Sequence, residues 1–225
     1  DHAINQAKVI QKLINPTHKK LLDAACGTGM NISELIKQGK EIFANDGSLF
    51  MLKELKKKNH EFKKVFNEEW INLDRIYKSE SLFDVIYILG NSISHCPSME
   101  YLIEVFTKVR HGLNKDGVFI FDSRDWITTD EGKSYFQPER KINQRRTLIN
   151  GVIKIQDECS YFRGKQRIKY LVKNNEKIEN FTLEYLIIPI FKFKELISLA
   201  GFKGVDIFDK SKEKTPYPYI IYRAF

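Results

Sequence analysis

Cysteine is scarce, at three residues among 225. Cys26, Cys96 and Cys159 are too few and too scattered to form a disulfide framework. There is no CxxC, no HxxxH and no Cys/His cluster at ligand spacing, so no metal is expected. The adjacent pair His95–Cys96 does not make a site by itself. No apolar run approaches the ~20 residues that cross a bilayer. The longest, Val85–Leu89 ahead of Gly90, reads as a buried strand. Internal repeats and low-complexity tracts are missing too. The chain opens at Asp1, with neither a methionine nor an apolar leader, so its true start is expected upstream. These absences argue against a disulfide-stapled scaffold and a membrane-crossing helix. They leave a reduced, metal-free, cytoplasmic protein as the expectation.

Composition is that of an ordinary globular chain, with 42% hydrophobic and 29% charged residues. The length suits one large domain, or one domain with a small subdomain. The net charge of +8 and pI of about 9.2 admit nucleic acid as a partner. The excess is mostly lysine spread along the chain. Its dense clusters, Lys56-Lys57-Lys58 and Lys63-Lys64, fall where a surface helix ends and a strand begins, and a helix C-terminus favours cations without any ligand. A small-molecule substrate is therefore expected rather than nucleic acid or a membrane, with the oligomeric state left open.

Apolar spacing predicts a helix over Ala3–Ile14, stopped by Pro16. Strands follow at Lys19–Ala25, Glu41–Asn45, Phe62–Phe66, Phe83–Leu89 and Gly117–Asp122. Between them lie helices at Asn31–Gln38, from the Ser48 cap to about Lys58, and from the Ser98 cap to His111. Strand–helix alternation of this kind specifies a doubly wound α/β fold with a parallel sheet. Residues 123–147 read as polar and irregular, rich in Lys and Arg. Residues 148–189 hold three β-rich runs split at Arg163-Gly164-Lys165 and Asn174-Asn175, an antiparallel meander. A helix at Phe193–Ala200 and strands at Val205–Phe208 and Tyr217–Tyr222 close the chain. The expected organisation is a ligand-binding core over 1–125, a β insertion over 126–190 that lids the site, and a C-terminal part over 191–225 that completes the core sheet.

The most informative stretch is Leu21-Leu22-Asp23-Ala24-Ala25-Cys26-Gly27-Thr28-Gly29-Met30, a strand running into a glycine turn and then a helix. Glycines allow positive φ and close approach of a ligand, and the helix start offers free N–H groups. Asp46 ends the second strand, where a carboxylate can accept both hydroxyls of a ribose, and Gly47 follows it in a tight turn. The dinucleotide pattern GxGxxG is not met, because Met30 takes its third place. On the residues alone, a doubly wound domain for another nucleotide remains open.

The turn resembles the first motif of class I S-adenosylmethionine-dependent methyltransferases, matched by Asp23, Ala25, Gly27 and Gly29. Further stretches are similar to glycine N-methyltransferases and glycine/sarcosine N-methyltransferases: Leu89-Gly90-Asn91-Ser92 followed by His95, Glu69-Trp70-Ile71-Asn72-Leu73-Asp74, and Asp122-Ser123-Arg124-Asp125. The resemblance covers about residues 3–125 well. It implies a Rossmann-like seven-stranded methyltransferase sheet with the meander inserted over the site, and S-adenosylmethionine as cofactor. Ala25, Cys26, Gly27 and Gly29 are then expected along its methionine part, Asp46 at the ribose, Ser48 and Met51 beside the adenine, and Asp23 and Gly47 among the cofactor-binding residues. Glu69 and Trp70 are expected at the adenine edge, although the family has Asn or Asp before this Trp. Leu89, Gly90, Asn91 and His95 are expected between cofactor and acceptor, and Arg124 on the acceptor carboxylate. Family members also carry a tyrosine-bearing N-terminal lid, and the resemblance leads one to expect it ahead of Asp1. Plainer readings stay open for three of these: Trp70 as core, His95 as a polar loop residue, and Arg124 paired with Asp122 or Asp125.

The implied activity is N-methylation of glycine, a related amino acid or a small amine. Transfer from a sulfonium mainly needs alignment and exclusion of water, and a neutral amine needs no dedicated base. Asn91, His95 and Arg124 are the expected acceptor-side residues, with Tyr161, Tyr170 and Tyr185 of the meander roofing the pocket. A nucleic-acid methyltransferase is the enzymatic alternative. Its Asn-Pro-Pro-aromatic tetrad is replaced here by Gly90-Asn91-Ser92-Ile93, and Cys96 precedes its proline rather than following one. A non-catalytic cofactor-binding subunit is the other alternative.

Overall fold

The computed structural model describes residues 2–30, 32–58, 61–124, 142–147, 153–162, 164–174, 177–208 and 219–225. The chain divides into two units, Asp1–Ile93 with Glu100–Arg124 and Phe191–Phe225, and Ser94–Met99 with Asp125–Ile190.

In the larger unit, helix α1 (His2–Leu13) leads into β1 (Lys20–Asp23), α2 (Ile32–Lys37), β2 (Glu41–Asn45), α3 (Leu49–Lys56) and β3 (Lys64–Phe66). A 3-10 turn at Trp70–Asn72, helix α4 (Asp74–Glu80) and β4 (Phe83–Ile88) follow, then α5 (Met99–His111) and β5 (Leu113–Ser123). The sheet order is β3-β2-β1-β4-β5, extended by two later strands, β11 (Ile220–Ala224) and then β10 (Val205–Phe208). The first five run parallel, and β11 lies antiparallel to both β5 and β10. This is the seven-stranded sheet that the resemblance implies.

Both faces of the sheet are covered, which is why β4 reads as a continuous apolar run. Successive side chains alternate between faces. Val85, Tyr87, Val118 and Ile120 pack with Ala7 and Ile10 of α1, Leu35 of α2 and Leu52 and Leu55 of α3. On the other face Phe119 and Phe121 meet Phe106 of α5, and Phe121 stacks on Tyr222 at 4.8 Å. Helix α6 (Lys192–Leu199) adds Phe193, 4.4 Å from the Tyr222 ring. Buried aromatics of this size each contribute about 1.5–3 kcal/mol by desolvation.

The second unit holds a four-stranded antiparallel sheet in chain order, β6 (Ile142–Thr147), β7 (Ile153–Phe162), β8 (Lys165–Asn174) and β9 (Lys177–Leu186). Pairing of Phe162 with Lys165 sets the turn where Gly164 takes φ 74°. Three expectations need correction. Residues 142–147, read as irregular, form β6, because β7 offers them a full edge to pair with. β5 begins at Leu113 rather than Gly117, with a register shift opposite Phe83–Val85. Helix α4 and the turn before it fall where no element is expected. The predicted last strand, Tyr217–Tyr222, lies partly outside the described residues, and its observed counterpart is Ile220–Ala224.

Candidate active site at the strand ends

Chain order in the sheet reverses at β1, which pairs with β2 on one side and β4 on the other. Ligands of open α/β sheets bind outside the carboxyl ends of strands at such a switch point. A cavity of about 190 Å³ lies there, lined by Asp23, Ala25, Cys26, Gly27, Thr28 and Met30 after β1 and by Leu89, Gly90 and Ser92 after β4.

Asp23 is buried at the end of β1. It accepts the Ala25 N–H at 3.2 Å and a hydrogen bond from the Tyr87 phenol. Desolvation outweighs these bonds and raises its carboxyl from the ordinary range to about 7. Gly27 and Gly29 adopt φ 51° and 71°, and open space lies where a Gly27 side chain would project. Burial pushes the Cys26 thiol well above its usual range, so this sulfur is inert packing rather than a nucleophile. Thr28 Oγ1 accepts from Lys58 Nζ at 3.2 Å, which ties the loop to the end of α3.

Asp46 ties the first two loops together. Its Oδ2 accepts the Gly27 N–H and its Oδ1 the Ser48 N–H, both at 2.8 Å. Ser48 Oγ accepts the Met51 N–H at 3.3 Å, the expected cap of α3. Met51 is exposed. Glu69 is also exposed, and its carboxylate lies against Gly47: a Cβ there would fall 2.9 Å from Glu69 Oε1. Trp70 donates its indole N–H to the Ala24 carbonyl at 2.7 Å. That bond anchors the 3-10 turn against the glycine loop, so the indole nitrogen acts inside the protein. Asn45 works beside it: Nδ2 donates to the Glu68 carbonyl at 3.0 Å and Oδ1 accepts the Glu68 N–H at 2.9 Å.

The turn after β4 is held from β5. Asp122 accepts the Gly90 N–H at 2.8 Å and the Asn91 N–H at 2.6 Å. Asn91 is buried, and its Oδ1 accepts the Arg124 backbone N–H at 3.0 Å. Asn91 Oδ1 thus links two strand ends. Arg124 is half-buried just past β5. His95 belongs to the second unit, where its exposed ring lies 4.8 Å from that of Tyr185. Strand register puts Tyr185 opposite Gln166, and Tyr170 four residues along β8, so these two tyrosines share one sheet face; the Tyr161 side chain lies outside the described residues.

Asp23, Ala25, Cys26, Gly27, Leu89 and Gly90 are therefore gathered on one cavity, and Asp46 and Asn91 tie its loops together. Sequence alone gives no role to Gln6 or Asn45, and takes Asp122 only as a motif position or a partner for Arg124. Gln6 of α1 is buried and lines the cavity. Its signal is a polar residue within the apolar stripe of Ala3, Ala7 and Ile10. The acids and glycines present fit S-adenosylmethionine: a carboxyl at Asp23 for a cationic amino acid limb, and spare lone pairs on Asp46 for a diol.

Residues 22–119 match the family described as a methyltransferase domain. The sheet order and the strand-end cavity are consistent with that match. The chain is 34% identical over 208 residues to a glycine/sarcosine/dimethylglycine N-methyltransferase of Actinopolyspora halophila, covering 86% of this chain and 33% of that protein. It is 31% identical over 118 residues to a glycine/sarcosine N-methyltransferase of Aphanothece halophytica, covering 51% of this chain and 44% of the relative. The chain spans less than half the length of these relatives. A solved S-adenosylmethionine-dependent methyltransferase from Clostridium acetobutylicum superposes with TM-score 0.74 at 20% identity, covering all of this chain and 91% of that one. A sugar N-methyltransferase from Streptoalloteichus superposes with TM-score 0.72 at 16% identity, over 99% and 85% of the two chains.

Proposed function

We propose that this chain N-methylates a small amine bearing a carboxylate, with glycine or sarcosine as first candidates. The observation that carries the reading is Arg124, which leaves β5 at the carboxyl edge of the sheet with its backbone bonded to Asn91, beside the turn lining the cavity. Relatives named for glycine and sarcosine methylation support it. The bound cofactor supplies a methyl group on a sulfonium centre. Asp23 meets the cationic amino acid limb of that cofactor, Asp46 the ribose, and buried Leu89 excludes water. The planar fork of Arg124 suits a carboxylate at two points and orients the amine.

The test is a methyl-transfer screen over amino acids and small amines, followed by kinetics of Arg124→Ala and Arg124→Lys on the best acceptor. Removing one partner of a desolvated arginine–carboxylate pair should cost about 2–5 kcal/mol in kcat/KM. Arg124→Lys should recover only part, because an ammonium lacks the fork. Cofactor affinity should hold in both. Equal turnover of an analogue lacking the carboxylate would remove Arg124 from acceptor binding. A second reading, an amine on a larger acceptor, rests on the exposed Phe181 and Leu183 of β9, which share the tyrosine face. An aminosugar nucleotide in the screen separates the two.

A further inference from the structure

The turn after β4 holds two consecutive residues in the left-handed region, Gly90 at φ 82° and Asn91 at φ 60°. Glycine adopts this freely, and asparagine more readily than other residues with a side chain, though at some cost. A backbone of this kind persists where its surroundings over-determine it. The determining group here is one side chain. Asp122 is fully buried on β5, and each of its two oxygens takes one of the two consecutive N–H groups. Adjacent N–H groups turned to one anion form the concavity that in other proteins holds a phosphate. In this chain its own carboxyl group fills it.

Two further bonds extend the tie. Asn91 Oδ1 accepts the Arg124 N–H at 3.0 Å, and the Ser92 hydroxyl donates to the Leu89 carbonyl at 2.7 Å. Leu89 and Gly90 line the cavity, while Arg124 is the residue assigned to the acceptor. The same carboxyl group thus bears on the cavity wall and, through Asn91, on Arg124.

We propose that Asp122 is a positioning residue for methyl transfer, holding the Gly90–Asn91 turn as a cavity wall and, through Asn91, fixing where Arg124 leaves β5. This rests on the acceptor reading given above. Asp122→Asn keeps the size of the side chain, but its amide nitrogen cannot accept an N–H, so one of the two bonds is lost. Three results are expected with the full chain. Amide exchange at Gly90 and Asn91 should quicken, and kcat/KM for glycine or sarcosine should fall roughly 10–100-fold, the span of one charge-assisted hydrogen bond. S-adenosylhomocysteine affinity should change by less than about threefold, because Asp23 and Asp46 are untouched.

Asn91→Gly is the companion variant. It keeps both N–H bonds and relieves the left-handed residue, yet deletes the link to Arg124. It should leave the melting temperature and amide exchange near wild type and still impair acceptor kinetics. Should Asp122→Asn fail to fold, normal turnover by Asn91→Gly would by itself refute the positioning role. So would equal losses in S-adenosylhomocysteine affinity and turnover in Asp122→Asn, or turnover within about threefold of wild type, below the effect of one lost bond. A wild type that binds S-adenosylhomocysteine but methylates no amine overturns the acceptor reading, and this proposal with it, before any variant is made.

Discussion

Asp23 and Asp46 stand at the ends of adjacent strands and behave differently. Asp23 is buried, and its carboxyl is raised to about 7 by desolvation. An acid raised by folding binds its proton more tightly in the native state, so its contribution to stability falls as pH rises from about 4 to about 7. Melting temperatures of Asp23→Asn and wild type across this range should diverge in the variant's favour toward alkaline pH. A difference that stays constant with pH would show that this carboxyl does not titrate there. Asp46 is half-buried, and both its oxygens accept backbone N–H groups while keeping lone pairs for a diol. Calorimetry on Asp46→Ala should show cofactor affinity reduced by about 1–3 kcal/mol. Unchanged affinity would leave Asp46 as a loop tie alone. Both acids were legible in the sequence, since each ends an apolar strand before a turn. The environments that separate them were not, because burial depends on which neighbours cover a strand end.

Among the elements, the glycine loop is buttressed from a segment in which no element is expected. The turn at Trp70–Asn72 is pinned to the loop through the Trp70 indole and the Ala24 carbonyl, and Asn45 pins residue 68. Trp70→Phe keeps most of the ring and removes the N–H. Thermal or denaturant unfolding should show a loss of about 0.5–1.5 kcal/mol, with cofactor binding weakened no more than loop loosening requires. A much larger loss of cofactor affinity at unchanged stability would put the indole on the ligand instead. Helix α4 escaped notice because its seven residues bury only Ile76, too little for a periodic signal. β6 escaped for the converse reason. Ile142-Asn143-Gln144-Arg145-Arg146-Thr147 carries one strongly apolar residue, so only pairing with β7 makes it a strand. By contrast, the α3 cap at Ser48 could be read locally, because capping involves a hydroxyl and an N–H three residues apart.

For the whole molecule, the proposed function makes a prediction. A ligand that binds only the native state stabilises it by about 2.7 kcal/mol at a hundredfold excess over Kd. For a chain of this length, that should raise the melting temperature in S-adenosylhomocysteine by roughly 5–10 °C. No shift would contradict an intact cofactor site. Methyl transfer should persist in EDTA, as expected of a displacement from a sulfonium guided by side chains alone. It should also be insensitive to added RNA despite the net charge of +8, since the lysines are spread along the chain. A divalent-ion requirement, or strong inhibition by RNA, would reopen the choice of acceptor. Among the described residues, no helix is long and apolar enough to cross a membrane.

The sequence by itself determined the alternation of strands and helices, the glycine turn and the acids at strand ends. These depend on local periodicity and on residue chemistry within a few positions. Tertiary structure alone decided that Asp122 reaches back 31 and 32 positions to hold a left-handed turn. It likewise turned Trp70 toward Ala24 across 46 positions and put Tyr170 and Tyr185 of the meander on one face. Hydrogen bonds at such separations depend on strand order and register, and those are set when the sheet buries both of its faces.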